Sequence, residues 1–594
     1  MTLIDWGIVY LYFLVVAGIA IYYSKRAGRN TSEFFLSGRR MSWWLAGISM
    51  VATTFAADTP MAVTELVAEN GIAGNWLWWN FAFGGMLTVF FFARLWRRCG
   101  IQTDVEFVEV RYAGRAAAWL RGIKAVYFGL LLNVVIIGWV SLAMETAIKV
   151  LWPDLTIFGQ TAFVVGNLTI SAALVVVSGL VILVSIFALL SGLWGVAVTD
   201  VMQFILAMAG SVLMAIFVLR VPEVGGIAGL KSQLPVETFR FFPTFGETAG
   251  AAAAFALSIP AFVAFIGIQW WSSWYPGAEP GGGGYNAQRM MGTSSERDAT
   301  YSALLFTIAH YCIRPWPWII VALASLVLYP NLVDSREGFV LVMRDVLPVG
   351  VLGMVFAAFL AAFMSTISTQ LNWGVSYLVN DCWRRFIKPD RSERHYVRVG
   401  RVFTFAVGFL SILLATQLES ISQAWTLILT ASAGLGTVLI LRWYWWRINA
   451  WSELVATLAP ILLVLMTLIG VPIPGLQAPF PSNLFVVVGL TTALWLTATF
   501  LTKPTDQSTL EKFYKLVRPA GPGWTSVATL YPEIHPDATI STMIRQWAAG
   551  VIVVYAGLFA TGYLILGNIL PGIVVLAVAV VSTLYLRQTF SSSS

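Results

Sequence analysis

The sequence predicts an all-α polytopic membrane protein, on three observations. Hydrophobic residues make up 58% of the 594 and charged residues only 11%, too little polar surface for a water-soluble chain. Apolar runs of about 20 residues, enough to cross a hydrocarbon core of roughly 30 Å, recur along the whole length. Lys and Arg gather in alternate connecting loops, as they do when loops alternate between the two sides of a membrane.

About fifteen such runs are expected. They fall near residues 4–23, 43–69, 72–96, 122–150, 165–189, 194–220, 249–275, 301–328, 347–380, 398–417, 422–447, 453–471, 483–502, 547–566 and 568–587. The first is too long, and too polar at its start, for a cleaved signal, so it is expected to remain as a helix. With the N-terminus outside and one crossing per run, 29 of the 36 Lys and Arg lie on the inner side, including Lys25, Arg26, Arg29, Arg39 and Arg40. This places the C-terminus inside, in a multi-pass protein of the plasma (cytoplasmic) membrane, the inner membrane in a bacterial cell. The net charge of +7 therefore reports orientation in the bilayer, and nucleic-acid binding has no support.

Several function classes are excluded at this stage. Cys99, Cys312 and Cys382 are an odd, scattered set, and His310, His395 and His535 share no metal-ligand spacing. No P-loop, serine nucleophile elbow or kinase segment occurs. The chain is not expected to be an enzyme, and any work it does must draw on a gradient.

The densest chemistry lies in Ala361-Ala-Phe-Met-Ser-Thr-Ile-Ser-Thr-Gln370, where Ser365, Thr366, Ser368 and Thr369 fall on one side of a helix. Each hydroxyl can bond back to the carbonyl one turn earlier. Four together also form a set of hard oxygen ligands for a small alkali cation. Two helices carry breaks: Phe55-Ala-Ala-Asp-Thr-Pro60 in the second run and Gln269-Trp-Trp-Ser-Ser-Trp-Tyr-Pro-Gly277 in the seventh. Proline in mid-membrane frees backbone carbonyls. The breaks lie five runs apart, an odd number, so their halves run in opposite directions. Interrupted helices at matching points of inverted repeats point to a midplane binding site, although a pair of ordinary proline kinks is the alternative.

Five stretches, in order, resemble the sodium:solute symporter family, relatives of the sodium/glucose, sodium/proline and sodium/sialic-acid carriers. They are Glu33-Phe-Phe-Leu-Ser-Gly-Arg-Arg-Met-Ser-Trp-Trp44, Gly192-Leu-Trp-Gly-Val-Ala-Val-Thr-Asp-Val-Met-Gln203, Ala287-Gln-Arg-Met290, the hydroxyl-rich 361–370, and Arg442-Trp-Tyr-Trp-Trp-Arg447 before Asn449. The resemblance implies a LeuT-like fold with two inverted five-helix repeats, 43–220 and 249–447. Residues 1–42 supply a preceding helix and inner loop, and 453–594 four accessory helices. It also implies sodium as the coupling ion, with a main site at Ala56, Thr59, Ala362, Ser365 and Thr366. A second site, found in part of the family, maps to Asp200, Ser365, Ser368 and Thr369. Asp58 stands beside the main ion, either as a nearby carboxylate or as a cap for the donors after Pro60.

Positions that touch solute in the family fall at Val63, Asn80, Gln269, Trp270, Ser272, Ser273, Trp274, Tyr311 and Gln423. Val63 and Asn80 depart from the more polar residues of sugar carriers. The aromatic residues at 270–275 either stack on a ring or gate the cavity. Arg314, inside a run, binds a solute carboxylate or pairs structurally. A Gly-rich segment, 277–284, interrupts the sugar-carrier pattern. The resemblance thus implies alternating-access import of a small organic solute (sugar, amino acid or organic acid), by a carrier functional as a monomer in the lipid bilayer. Rival readings are a carrier for another cation and a sensor that keeps the fold without transport. A sensor is expected to have a signalling domain beyond the last run, where this sequence has Arg587 to Ser594.

Overall fold

The structure, a computed structural model, describes residues 1–166, 168–243, 257–418 and 421–591. It is predominantly helical, and polar residues just ahead of the apolar runs set many helix starts. Thr2 and Asp5 form a reciprocal capping box at Leu3–Ala27. Ser171, Ser295, Ser392, Asn449 and Thr539 accept backbone N–H groups at the starts of Ala172–Leu219, Glu296–Ile308, Glu393–Ala415, Ala450–Leu468 and Ile540–Ile565. Each side-chain oxygen satisfies a donor that the first helical turn leaves free. Among the described residues the only strands form a hairpin, Ala162–Val165 with Leu168–Ser171.

Among the described residues, eleven helices are long and apolar enough to cross a membrane, or twelve if the bent pair Ala424–Ala431 and Leu435–Tyr444 is one span. The chain is a multi-pass membrane protein. The difference from the expected fifteen has three sources. Ala172–Leu219 runs for 48 residues, about 72 Å at 1.5 Å per residue, and covers two of the expected runs. It bends at Gly192, where φ is +54° and a Cβ would lie 2.9 Å from the Ala27 Cβ. The second run is split into two short helices, Trp43–Thr54 and Asp58–Asn70. The seventh, which begins outside the described residues, contributes only Ile259–Ser272.

The breaks do not sit where proline alone would put them. Phe55 leaves the helix at φ −89°, ψ 71°, and Pro60 lies in the first turn of the next helix, where a missing N–H costs nothing. The second interruption opens at Ser273 (φ −96°, ψ 143°), and the chain becomes helical again only at Gly284. Gly277 makes this long segment possible. Its φ is +83°, and a Cβ there would lie 2.0 Å from the Tyr285 hydroxyl oxygen.

Val351–Tyr377, the helix carrying the hydroxyl cluster, is the centre of the packing. Within its span, 83% of the most apolar window is buried, against 17% for Ile569–Thr589. It packs along Ala172–Leu219 and against Leu3–Ala27. Asp5 fixes this second contact: its carboxylate caps its own helix and accepts from Gly350 N and Gly353 N at 2.7 and 2.9 Å.

At the arginine-rich end of the helices lies a buried ionic cluster. Glu453 accepts from Lys124 Nζ, from Arg442 Nη1 at 2.8 Å and from the Tyr112 hydroxyl at 2.8 Å. Glu453→Ala leaves two buried cations unpaired, so we expect a loss of about 3–5 kcal/mol. Arg240→Ala, which breaks an exposed pair with Glu237, should cost under about 1 kcal/mol. Thermal unfolding in detergent checks the contrast, and equal small losses would refute it.

Candidate functional site

The hydroxyl cluster faces the end of the first half of the broken helix, Trp43–Thr54. Thr366 Oγ1 donates to Thr53 O at 2.9 Å and to its own-turn carbonyl, Ala362 O, at 3.1 Å. Thr53 O is a carbonyl that the break leaves without a helical successor. Thr369 Oγ1 meets Thr53 Oγ1 at 3.0 Å, and Ser365 Oγ donates to Asp200 Oδ1 at 2.7 Å. Ser49, one turn before Thr53, donates to the other Asp200 oxygen. Three helices thus bring hydroxyls, a carbonyl and a carboxylate together in a fully buried layer. One fixed cation joins them. Arg289 donates to Thr369 Oγ1 at 2.7 Å and to Ser49 Oγ at 3.2 Å, with Nη2 3.9 Å from Asp200 Oδ2.

Above this layer the break opens into a cavity of about 70 Å³. Its walls are Thr53 to Leu66 on the broken helix, Tyr275 to Ala278 of the second interruption, and the rings of Trp78, Phe81, Trp139, Tyr285, Tyr311 and Trp425. His310, Tyr311 and Arg314 enter from Glu296–Leu328 because that helix widens there. Arg314 N–H donates to Ala309 O at 3.3 Å, five residues back rather than four. Such single wide turns re-aim side chains and recur at functional sites.

Arg314 is held on several sides. Nη1 donates to Thr54 Oγ1 at 2.8 Å, Nη2 lies 3.1 Å from His310 Nε2, and the guanidinium lies over the Trp318 and Trp78 rings. Arginine is only a donor, so His310 Nε2 accepts and Nδ1 carries the proton toward Thr54 Oγ1, 2.8 Å away. Thr54 passes its own proton to Val51 O at 2.8 Å. His310 is therefore neutral here and orients the arginine. Three polar atoms of the cavity wall have no hydrogen-bond partner, Asp58 Oδ1, Gln370 Oε1 and Arg314 Nε, while the Trp425 indole N–H faces the Asp58 carboxylate. Unpaired buried polar atoms are costly, and in a cavity wall they mark where a ligand bonds.

The profile of the sodium:solute symporter family matches residues 34–459, about 72% of the chain. The chain belongs to the sodium:solute symporter family. Among curated proteins it is 23% identical over 494 residues to a sodium/glucose cotransporter of Vibrio parahaemolyticus, covering 78% of this chain and 84% of that one. It is also 23% identical over 509 residues to sodium/myo-inositol cotransporter 2 of Mus musculus, covering 78% and 70%. Among solved structures, a Na+-coupled sialic acid symporter in a substrate-bound outward-open state matches with a TM-score of 0.66 at 20% identity, covering 85% of this chain and 99% of the other. That likeness shows a common fold.

Within this family member, the residues expected from sequence divide by location. Ala56, Thr59, Asp58, Val63, Tyr311 and Thr366 line the cavity. Ser365 turns away to Asp200, and Ser368 donates back to Ser365 O at 3.1 Å. The break contributes Thr53 O to the hydroxyl helix, while Ala56 O accepts from Thr59 N at 3.2 Å. Asn80, Gln269, Trp270, Ser272, Ser273 and Trp274 are not among the lining residues. Asn80 Nδ2 donates to Trp76 O and Leu77 O, both at 2.8 Å, and Gln269 Nε2 to Leu77 O at 2.8 Å. Trp270 packs on Phe83 and Trp547, and Trp274 on Phe128 and Trp373. Ser272 O and the Trp274 backbone bind Gly434 and Ser432. The interruption reaches the cavity slightly later, through 275–278, because the helix ends at Ser272. Gln423 belongs to Ile421–Ala431, and its side chain lies outside the described residues. Sequence reasoning missed Thr53, Thr54, His310, Gln370 and Trp425. The spacing of Ser49 and Thr53, one turn apart just before a break, was the available signal for the first of them.

Asp200 and Arg289 should behave as a coupled pair. Asp200→Ala leaves a buried guanidinium unpaired and should cost about 3–5 kcal/mol. Adding Arg289→Gln should recover at least about 1 kcal/mol. Thermal unfolding of the two single variants and the double variant checks this, and strictly additive losses would argue against the pair.

Proposed function

We propose that this protein is a sodium-coupled symporter importing a small, donor-rich organic solute by alternating access. The observation that carries the reading is the contact of Thr366 with Thr53 O at the floor of the aromatic-walled cavity. Sodium, as co-transported cargo, binds there between the broken helix and the hydroxyl helix, with Ala56, Thr59, Ala362, Ser365 and Thr366 as the proposed main set. Thr366 already shares its proton between Thr53 O and Ala362 O. Committing that proton to Ala362 O turns a hydroxyl lone pair toward the ion while both helices keep their place. The ion then links the two helices that wall the cavity, which raises solute affinity. By linkage, solute raises ion affinity equally.

The solute class follows from the unpaired atoms. Asp58 Oδ1 and Gln370 Oε1 accept, and Arg314 Nε–H donates. A molecule with hydroxyl or amine donors beside a flat or apolar face satisfies them, with Tyr275, Tyr311 and Trp78 offering ring surfaces. Thr54 and His310 hold the two Arg314 Nη atoms and leave Nε–H for an acceptor oxygen, so a solute whose hydroxyls both donate and accept fits best. The relatives named for glucose and myo-inositol point the same way. The remaining parts of the proposal are two inverted repeats at 43–220 and 249–447, an N-terminus outside and C-terminus inside, and a monomer that works alone in the plasma membrane.

Uptake into proteoliposomes should require sodium, and equal uptake in potassium alone would refute the ion assignment. Thr366→Ala and Ser365→Ala should each raise the sodium concentration for half-maximal uptake about tenfold, a loss of about 1.4 kcal/mol, at unchanged protein level. An unaltered sodium dependence in both would remove these ligands from the proposal.

The second ion set, Asp200 with Ser365, Ser368 and Thr369, shares its oxygens with Arg289. If it carries sodium during the cycle, reversal potentials give two ions per solute, falling to one in Asp200→Asn. That is the expected result. A ratio of one that Asp200→Asn leaves unchanged would assign Asp200 to Arg289 alone.

A further inference from the structure

The Gly-rich segment after Ser272 lies across the floor of the solute cavity, and beneath it is a smaller cavity of about 10 Å³, room for about one water-sized ion. Gly277 and Ala278 line both. The lower cavity lies on the side of the arginine-rich helix ends. It is reached from Met50, one turn before Thr54, and from Thr88, one turn beyond Gly84 toward Arg94 to Arg98.

Four oxygen-bearing side chains line this space: Glu279, Asn286, Thr88 and Thr307. Glu279 is 4% exposed. Its Oε1 accepts from Gly277 N at 3.1 Å, but Oε2 has no partner. Asn286 is 7% exposed. Its amide N–H group donates to Gly277 O at 2.9 Å, leaving Oδ1 without a partner. The two threonines already give their protons away, Thr88 to Gly84 O at 3.0 Å and Thr307 to Ala303 O at 2.8 Å, so their lone pairs remain available. No ion pair involves Glu279 among the described residues. Two orphaned acceptors, one of them a carboxylate oxygen, together with two hydroxyls that offer only lone pairs, form a set of hard oxygens without a donor. Such a set is completed by a cation.

We propose that Glu279, Asn286, Thr88 and Thr307 bind a sodium ion beneath the solute cavity. Glu279 and Asn286 belong to the interrupting segment and the helix after it, whereas Thr88 and Thr307 belong to two other membrane helices. The ion therefore ties the floor segment to the surrounding bundle and holds it closed on this side. The choice of sodium rests on the sodium reading of the carrier. The site itself rests on the oxygen set.

The test is equilibrium binding of radioactive sodium to the purified full-length carrier in detergent, without solute, at constant ionic strength. Glu279→Gln should lose about one bound sodium per chain. Thr88→Val, which removes one hydroxyl at nearly constant volume, should weaken the same component about tenfold. Thermal unfolding in potassium alone shows whether each variant is folded, and if Glu279→Gln is not, Thr88→Val decides. The double variant Ser365→Ala/Thr366→Ala should lose a different component and keep this one. If Glu279→Gln and Thr88→Val bind sodium like the parent while the double variant loses it, the floor site is overturned and the main-site reading stands. If Glu279→Gln keeps the full sodium count and changes only the pH dependence of uptake, the group carries a proton and the sodium proposal is again overturned. If the parent binds no sodium at all, the coupling-ion reading falls and takes the identity of this ion with it.

Discussion

Phe55, Ala56 and Ala57 leave the helical pattern in the middle of the protein, and the surrounding architecture follows from what that requires. Backbone groups cannot stay unpaired in a membrane unless protein or a cavity receives them. Here a neighbouring helix receives them: Thr366 reaches across to Thr53 O. That reach demands a helix packed closely on every side, and Val351–Tyr377 is the most buried of the spans. It also demands a cavity where the chain has parted, and the aromatic residues crowd around that opening.

A second consequence is how charge is distributed. Arg289, Asp200, Arg314 and Asp58 lie within or beside the layer around the break, each nearly inaccessible to solvent. Arg289 is matched by Asp200 and by hydroxyls, and Arg314 by a neutral imidazole, a hydroxyl and aromatic rings. Asp58 keeps an oxygen unmatched. Charges that are matched hold the helices in register, while Asp58 keeps a free acceptor at the cavity wall.

The class of the protein was legible in its composition, and the two interruptions in the clusters around Pro60 and Pro276. The hydroxyl quartet stood out because four small polar side chains share one side of an apolar helix. What the linear chain concealed is the geometry of exit from each helix. The break lies within Phe55–Pro60 as read, but the helix already ends at Thr54 and proline sits in the first turn of the next one. Ser272 ends the other helix early, so Gln269 and Trp270 pack outward and Tyr275 takes the cavity wall. His310 could not be read at all. Its placement depends on one widened turn, and periodicity assumes that no such turn occurs.

The tether at Asp5 carries an implication for motion. One carboxylate closes the start of the first helix and simultaneously holds the start of the hydroxyl helix through Gly350 and Gly353. Gly353 leaves no slack, since a Cβ there would lie 2.4 Å from the Asp5 Cα. The peripheral first helix is thus geared to the central one. Any tilt of the hydroxyl-bearing helix is transmitted to an exposed helix at the rim, which couples the innermost element of the protein to its periphery.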